Sequence, residues 1–167
     1  GAYRLPLAAL NLDGALKQTQ GSSSLQVKVS VSPIGAEIAN DMSRKAASMG
    51  ATPVNGAAVK FGVAVGAQGQ EQEVKDFGKK MVSRILPLPA GANSDSVTAV
   101  IYDDAAGIFR FVPAVKTTWN GKPAMEVKHA GNGIYALLQF KKTFTDLDGH
   151  WAKEQIESMA SKLLVNG

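Results

Sequence analysis

The sequence predicts a mainly β protein: an antiparallel β-sandwich with one inserted helix and a C-terminal amphipathic helix. Three observations predict it. Short runs with period-two alternation recur through residues 1–141. Turn-forming Gly, Asn and Asp separate them, as in the Asn120-Gly121 pair, a strong type I′ hairpin signal. Only two stretches carry helical spacing, Ile34–Ile38–Met42–Ala46–Met49 and Ala152–Ile156–Met159–Ala160–Leu163.

Taken in order, Tyr3 to Leu10 reads as a first strand, with Pro6 placing it at an edge. Residues 11–24 are polar and contain Gly and Ser, so they read as a loop. Leu25, Val27, Val29 and Val31 alternate with Gln26, Lys28, Ser30 and Ser32, the pattern of a half-buried strand. Ser32-Pro33 suits the start of the first helix, and Gly50 its stop. That helix is expected to plug or cover one end of a sheet, its methionines used for packing. Residues 51–65 read as one strand, and the Gly66–Gln72 stretch as a turn. Further strands are expected over Lys79–Leu86, Val97–Tyr102 and Ile108–Val112, the last two joined by the Asp103–Gly107 turn. Thr117–Trp119 and Pro123–Lys128 flank Asn120-Gly121, and Ile134–Phe140 is the last strand.

Composition narrows the function classes. At 45% hydrophobic residues the chain supports a core without disulfides, and it has no cysteine for a disulfide or thiolate site. The net charge of +4 is scattered, with Lys79-Lys80 and Lys141-Lys142 the longest basic runs, so nucleic acid is not an expected partner. No run is long and apolar enough to cross a membrane, so membrane insertion is not expected. A Gly at position 1 in place of Met suggests a segment taken from a longer precursor.

Catalytic patterns are sparse. His129 and His150 are the two histidines, and no Ser sits in a Gly-x-Ser-x-Gly elbow. Asp103-Asp104 and Asp146/Asp148 are the close acidic pairs, which turn and capping roles account for. Glu71, Glu73 and Glu126 are not paired by the pattern as glycosidase carboxylates. No metal or cofactor is expected. Trp119, beside the Asn-Gly turn, and Tyr102 or Tyr135 are the candidates for stacking on sugar rings.

The tail carries a more specific pattern. Phe144, Asp146 and Leu147 are followed by His150-Trp151-Ala152, by Ile156, and by Val165 to Gly167. This resembles the opening half of an S-layer homology (SLH) module. Residues 1–141 then form a separate surface module, and 142–167 the truncated front of the SLH module. Tyr102 to Asp104, Gly107, Val112-Pro113, Asn120-Gly121 and Tyr135-Ala136 are similar to β-sandwich modules that precede SLH repeats in Gram-positive surface proteins. Some such relatives self-cleave at a His-Phe-Ser tripeptide. Here His129-Ala130-Gly131-Asn132-Gly133 stands in its place, without that Phe and Ser.

The resemblance implies an extracellular, cell-wall location and a non-catalytic linking role, with wall polysaccharide bound through a full SLH region. Phe144, Asp146, His150, Trp151 and Ile156 would carry that motif. A carbohydrate-binding module is the alternative, and a self-processing domain a third reading. The stripe of Trp151, Ile156, Met159 and Leu163 needs a surface, either the sandwich or a neighbouring copy.

Overall fold

The computed structural model describes residues 2–10, 12, 25–67, 70–140, 149, 151–153 and 155–156. Eleven strands and one α-helix are formed among them: β1 Ala2–Arg4, β2 Gln26–Pro33, α1 Ala36–Ser48, β3 Ala51–Pro53, β4 Val59–Ala67, β5 Gln70–Glu73, β6 Val82–Pro87, β7 Val97–Asp103, β8 Ile108–Phe111, β9 Ala114–Trp119, β10 Lys122–His129 and β11 Gly133–Phe140. The smaller sheet has the order β1-β6-β10-β9. The larger has the order β2-β4-β11-β7-β8, with β3 against β11 and β5 against β4. Every pairing is antiparallel. The protein is thus mainly β, a two-sheet sandwich carrying one helix, as the alternation and turn signals predict.

Strand β11 organises the layers because both of its faces are buried. Tyr135 and Leu137 point into the space between the sheets, with Phe61, Leu86, Val97, Ala99, Met125 and Val127. Ile134, Ala136, Leu138 and Phe140 point the other way, onto Met42 and Ala46 of α1 and onto Val100 and Tyr102 of β7. Period-two geometry makes this division automatic once one face is assigned. A strand covered on both sides reads as a continuous apolar run, which is how IYALLQF reads. A third apolar cluster of Leu10, Val63, Val65, Phe77 and Val82 completes the interior.

Several local expectations are revised by the tertiary structure. The first strand stops at Arg4, and Leu7–Ala9 form a 3₁₀ turn after Pro6. Proline's missing N–H ends the ladder there; β1 is nevertheless at a sheet edge, as expected. Ser32-Pro33 ends β2 instead of starting α1, whose N-cap is Gly35. The helix lies across the outer face of the larger sheet, and Met49 of its stripe is exposed. Residues 51–65 are two strands, because Asn55-Gly56 turns the chain between β3 and β4. Strand β2 forms, but all eight of its residues are exposed, so it is not half-buried.

The hairpin signals hold. Asn120 and Gly121 have φ values of 50° and 72°, the two positive angles that a type I′ turn requires. In the β7–β8 turn the Asp103 carboxylate accepts from the Ala106 N–H at 3.0 Å, and the Gly107 N–H donates to the Asp103 carbonyl.

In the tail, the Ile156 N–H donates to the Ala152 carbonyl at 3.0 Å, one helical turn. Trp151 is 86% exposed. The expected packing of the tail stripe rests mostly on residues outside the described ones. Phe144, Asp146, His150, Met159 and Leu163 lie outside the described residues.

Because Leu137 is fully buried between the sheets and Val29 is exposed, the two truncations should differ sharply. Leu137→Ala is expected to lower unfolding free energy by about 2–5 kcal/mol. Val29→Ala is expected to change it by less than about 0.5 kcal/mol, with urea denaturation as the measurement for both.

Candidate functional site

Arg84 is the feature that sequence reading overlooked. It stands between Val82 and Leu86 in β6, with the same parity as both, and so points inward from the sheet. That parity was visible in the run Val82–Leu86. Arg84 is 0% exposed. Among the described residues no carboxylate pairs with it.

A buried guanidinium needs acceptors, since removing it from water unpaired is costly. Its Nη1 donates to the carbonyls of Val82 at 3.0 Å and His129 at 2.9 Å. Its Nη2 donates to the Gly131 carbonyl at 2.6 Å, the Asn132 Oδ1 at 3.0 Å and the Tyr3 hydroxyl at 3.3 Å. Three aromatic rings surround the cation, with Cζ 4.5 Å from the Tyr135 centroid, 5.0 Å from Tyr3 and 5.8 Å from Phe61. Those π-faces supply the negative potential that a carboxylate would otherwise supply. The rings also meet edge to face, Tyr3 with Phe61 at 5.2 Å and Phe61 with Tyr135 at 5.7 Å.

The β10–β11 turn is wrapped on this cation. Asn132 accepts from Arg84 and from the Tyr3 hydroxyl, while its Nδ2 donates to the Val74 carbonyl at 2.6 Å. It thereby pins the connection that follows β5. The Gly131 N–H donates to His129 Nδ1 at 3.1 Å, so that nitrogen acts as an acceptor. The Tyr135 hydroxyl lies 2.8 Å from the same nitrogen and donates to the Gly131 carbonyl. The His129–Gly133 segment is therefore occupied with structural hydrogen bonds. Among the described residues no serine or threonine hydroxyl bonds to His129.

A cleft of about 730 Å³ opens beside this turn. Its lining combines Lys60, Lys75 and Arg110 with Glu73, Asp103 and Asp104, and includes His129 and Asn132. Arg110 pairs with Asp103 at 3.5 Å. Charges of both signs, partly paired with each other, suit a polar or zwitterionic ligand better than a polyanion. Among the described residues no group of three or more His, Asp or Glu could hold a metal.

The remaining candidates fall at different places. Tyr102 is 3% exposed. It packs on Phe109, and its hydroxyl donates to the Asp41 carboxylate of α1. It also lines the mixed-charge cleft. Burial, reinforced by the Asp41 hydrogen bond, pushes the Tyr102 hydroxyl up to about 12, and the same bond holds Asp41 below the usual carboxylate range. Tyr135 is buried in the arginine cage and pushed up to about 12 by burial. Trp119 is half-buried at the end of β9, opposite Lys122. Lys122 and Pro123 line a second hollow of about 410 Å³, bounded also by Asn55-Gly56 and Pro87–Ala90. The structure therefore does not bring Trp119 and Tyr102 into one site.

Comparisons with protein-family models, with curated proteins and with solved structures each find no match, so similarity assigns neither a family nor an activity.

Two expectations follow for the cage and the buried tyrosines. Arg84→Met would leave the acceptors on His129, Gly131 and Asn132 without their donor, at about 1–3 kcal/mol for each buried unsatisfied group. A loss of more than about 3 kcal/mol in urea denaturation is expected, with Arg84→Lys in between. A change within about 1 kcal/mol for Arg84→Met would show the cage to be dispensable. For pH, Tyr102 and Tyr135 sit at about 12 in the folded chain, against about 10 for unfolded tyrosine. The folded state holds these protons more tightly, so stability present below about pH 10 is lost as pH rises toward 12. The melting temperature should fall across that window, and Tyr102→Phe should shallow the fall.

Proposed function

We propose that this chain is a non-catalytic surface module. It links a functional region to a wall anchor built from SLH modules, on the outside of a Gram-positive cell. The observation that carries the reading is the tail pattern, Phe144, Asp146, His150-Trp151 and Ile156 at SLH spacing immediately after the last strand of a sandwich. One feature supports it. Arg84, a fully buried cation, directs the hydrogen bonds of both its terminal nitrogens to the protein's own carbonyls, hydroxyl and amide.

A carbohydrate-binding role is the second reading. It is favoured by the mixed-charge cleft beside the β10–β11 turn and by half-buried Trp119 near the opposite hollow. Polar groups around a concavity fix a sugar's hydroxyls, and an aromatic face stacks on its C–H surface.

Co-sedimentation with purified Gram-positive cell walls separates the two. The chain alone is expected to stay in the supernatant, and to sediment when a complete SLH region is supplied at its C-terminus. Saturable wall binding by the chain alone, abolished by Trp119→Ala or Arg110→Ala, would replace the linking role with the second reading. An unchanged intact mass after long incubation is expected; two fragments meeting at residues 129–133 would establish self-processing instead.

A further inference from the structure

Strand β2 keeps an apolar face in solvent. It runs along β4 with Val27 opposite Val65, Val29 opposite Val63 and Val31 opposite Phe61. Directly opposed residues share a face, so these valines continue the buried row of β4. They are nevertheless 36%, 47% and 45% exposed. On its other side, among the described residues, β2 has no neighbouring strand. Such an edge presents unpaired N–H and C=O groups, a template for another strand. The usual protections are thin: Lys28 is the one charge in β2, and Pro33 stands at its last position.

We propose that β2 is a self-association edge, pairing antiparallel with β2 of a second copy of this chain and centred on Val29. The register argument selects this partner. Side chains alternate, so only pairings of odd with odd residues and even with even keep the apolar faces together. Centring on Lys28 sets the two lysines against each other, which like charges oppose. Centring on Ser30 sets Val27 against Pro33, which has no N–H to share. Centring on Val29 sets Val27 against Val31, Val29 against Val29 and Lys28 against Ser30. Six valines then form one stripe, no like charges meet, and the two larger sheets become one across a two-fold axis. A contact built chiefly on one strand pair belongs with small interfaces, below about 1,200 Å² in total, so the association is weak and concentration-dependent.

The chain has no cysteine, so one introduced thiol reads the register without background. Opposed Cα atoms in an antiparallel pair lie about 4.5–5.5 Å apart, within disulfide reach of about 4.4–6.8 Å. Val29→Cys in the full chain is expected to cross-link at least about tenfold more than Val27→Cys or Val31→Cys alone. Two copies of residue 27 are offset by four residues along the pair, about 13–14 Å. Mixing the Val27→Cys and Val31→Cys proteins should restore the cross-link. Equal cross-linking at all three positions, or none at the highest soluble concentration, would overturn the proposal. Sedimentation equilibrium of the unmodified chain supplies an independent arm. Average mass should rise with concentration, and Val29→Lys should abolish the rise while leaving the far-ultraviolet dichroism unchanged. A mass that stays monomeric, or a dimer that survives Val29→Lys, assigns the edge elsewhere and sinks the idea.

Discussion

A guanidinium withdrawn from water dictates much of this fold. The charge of the buried Arg84 guanidinium has to be met inside the protein. It is met by groups drawn from separate parts of the chain: Tyr3 on β1, Phe61 on β4, the turn carbonyls of His129 and Gly131, Asn132, and Tyr135 on β11. Tyr3, Phe61 and the 129–135 segment are three parts far apart in sequence, so the contacts form only once both sheets are in place. The arrangement also differs from a buried ion pair. Among the described residues there is no paired carboxylate whose own desolvation must be offset, and the aromatic faces that surround the cation add apolar contact of their own.

That constraint passes to β11. Its first residues leave the turn that Arg84 holds, so the start of the strand is set in register against both β4 and β7. From there its alternating side chains serve two different interiors, one between the sheets and one beneath α1. The helix is tied at its far side by Asp41, which accepts from the buried Tyr102 hydroxyl. Sheet, sheet and helix thus share one strand and two polar ties. The mixed-charge cleft is lined by residues of the turn and of the β7–β8 hairpin.

Both edges of the larger sheet expose apolar side chains, Ile108 and Phe111 on β8 and Val27, Val29 and Val31 on β2. The β8 edge carries Arg110, which pairs with Asp103 across the hairpin. The β2 edge carries three exposed valines and a single lysine. Edges that carry few charges are the ones other strands can join.

Sequence alone determined the class of fold and most of its punctuation. Alternation in residues 25–31, the Asn120-Gly121 pair, the Asp103–Gly107 turn and the helical stripe of α1 depend on local φ/ψ preference and side-chain period, which neighbours along the chain decide. Tertiary structure alone decided which alternating faces were covered. Valines in β2 and β4 look alike in sequence, yet only those of β4 have the smaller sheet over them. It also decided what Arg84, Tyr102 and Asn132 do. Burial of a polar group depends on acceptors brought from distant segments, and no local pattern encodes where those will arrive.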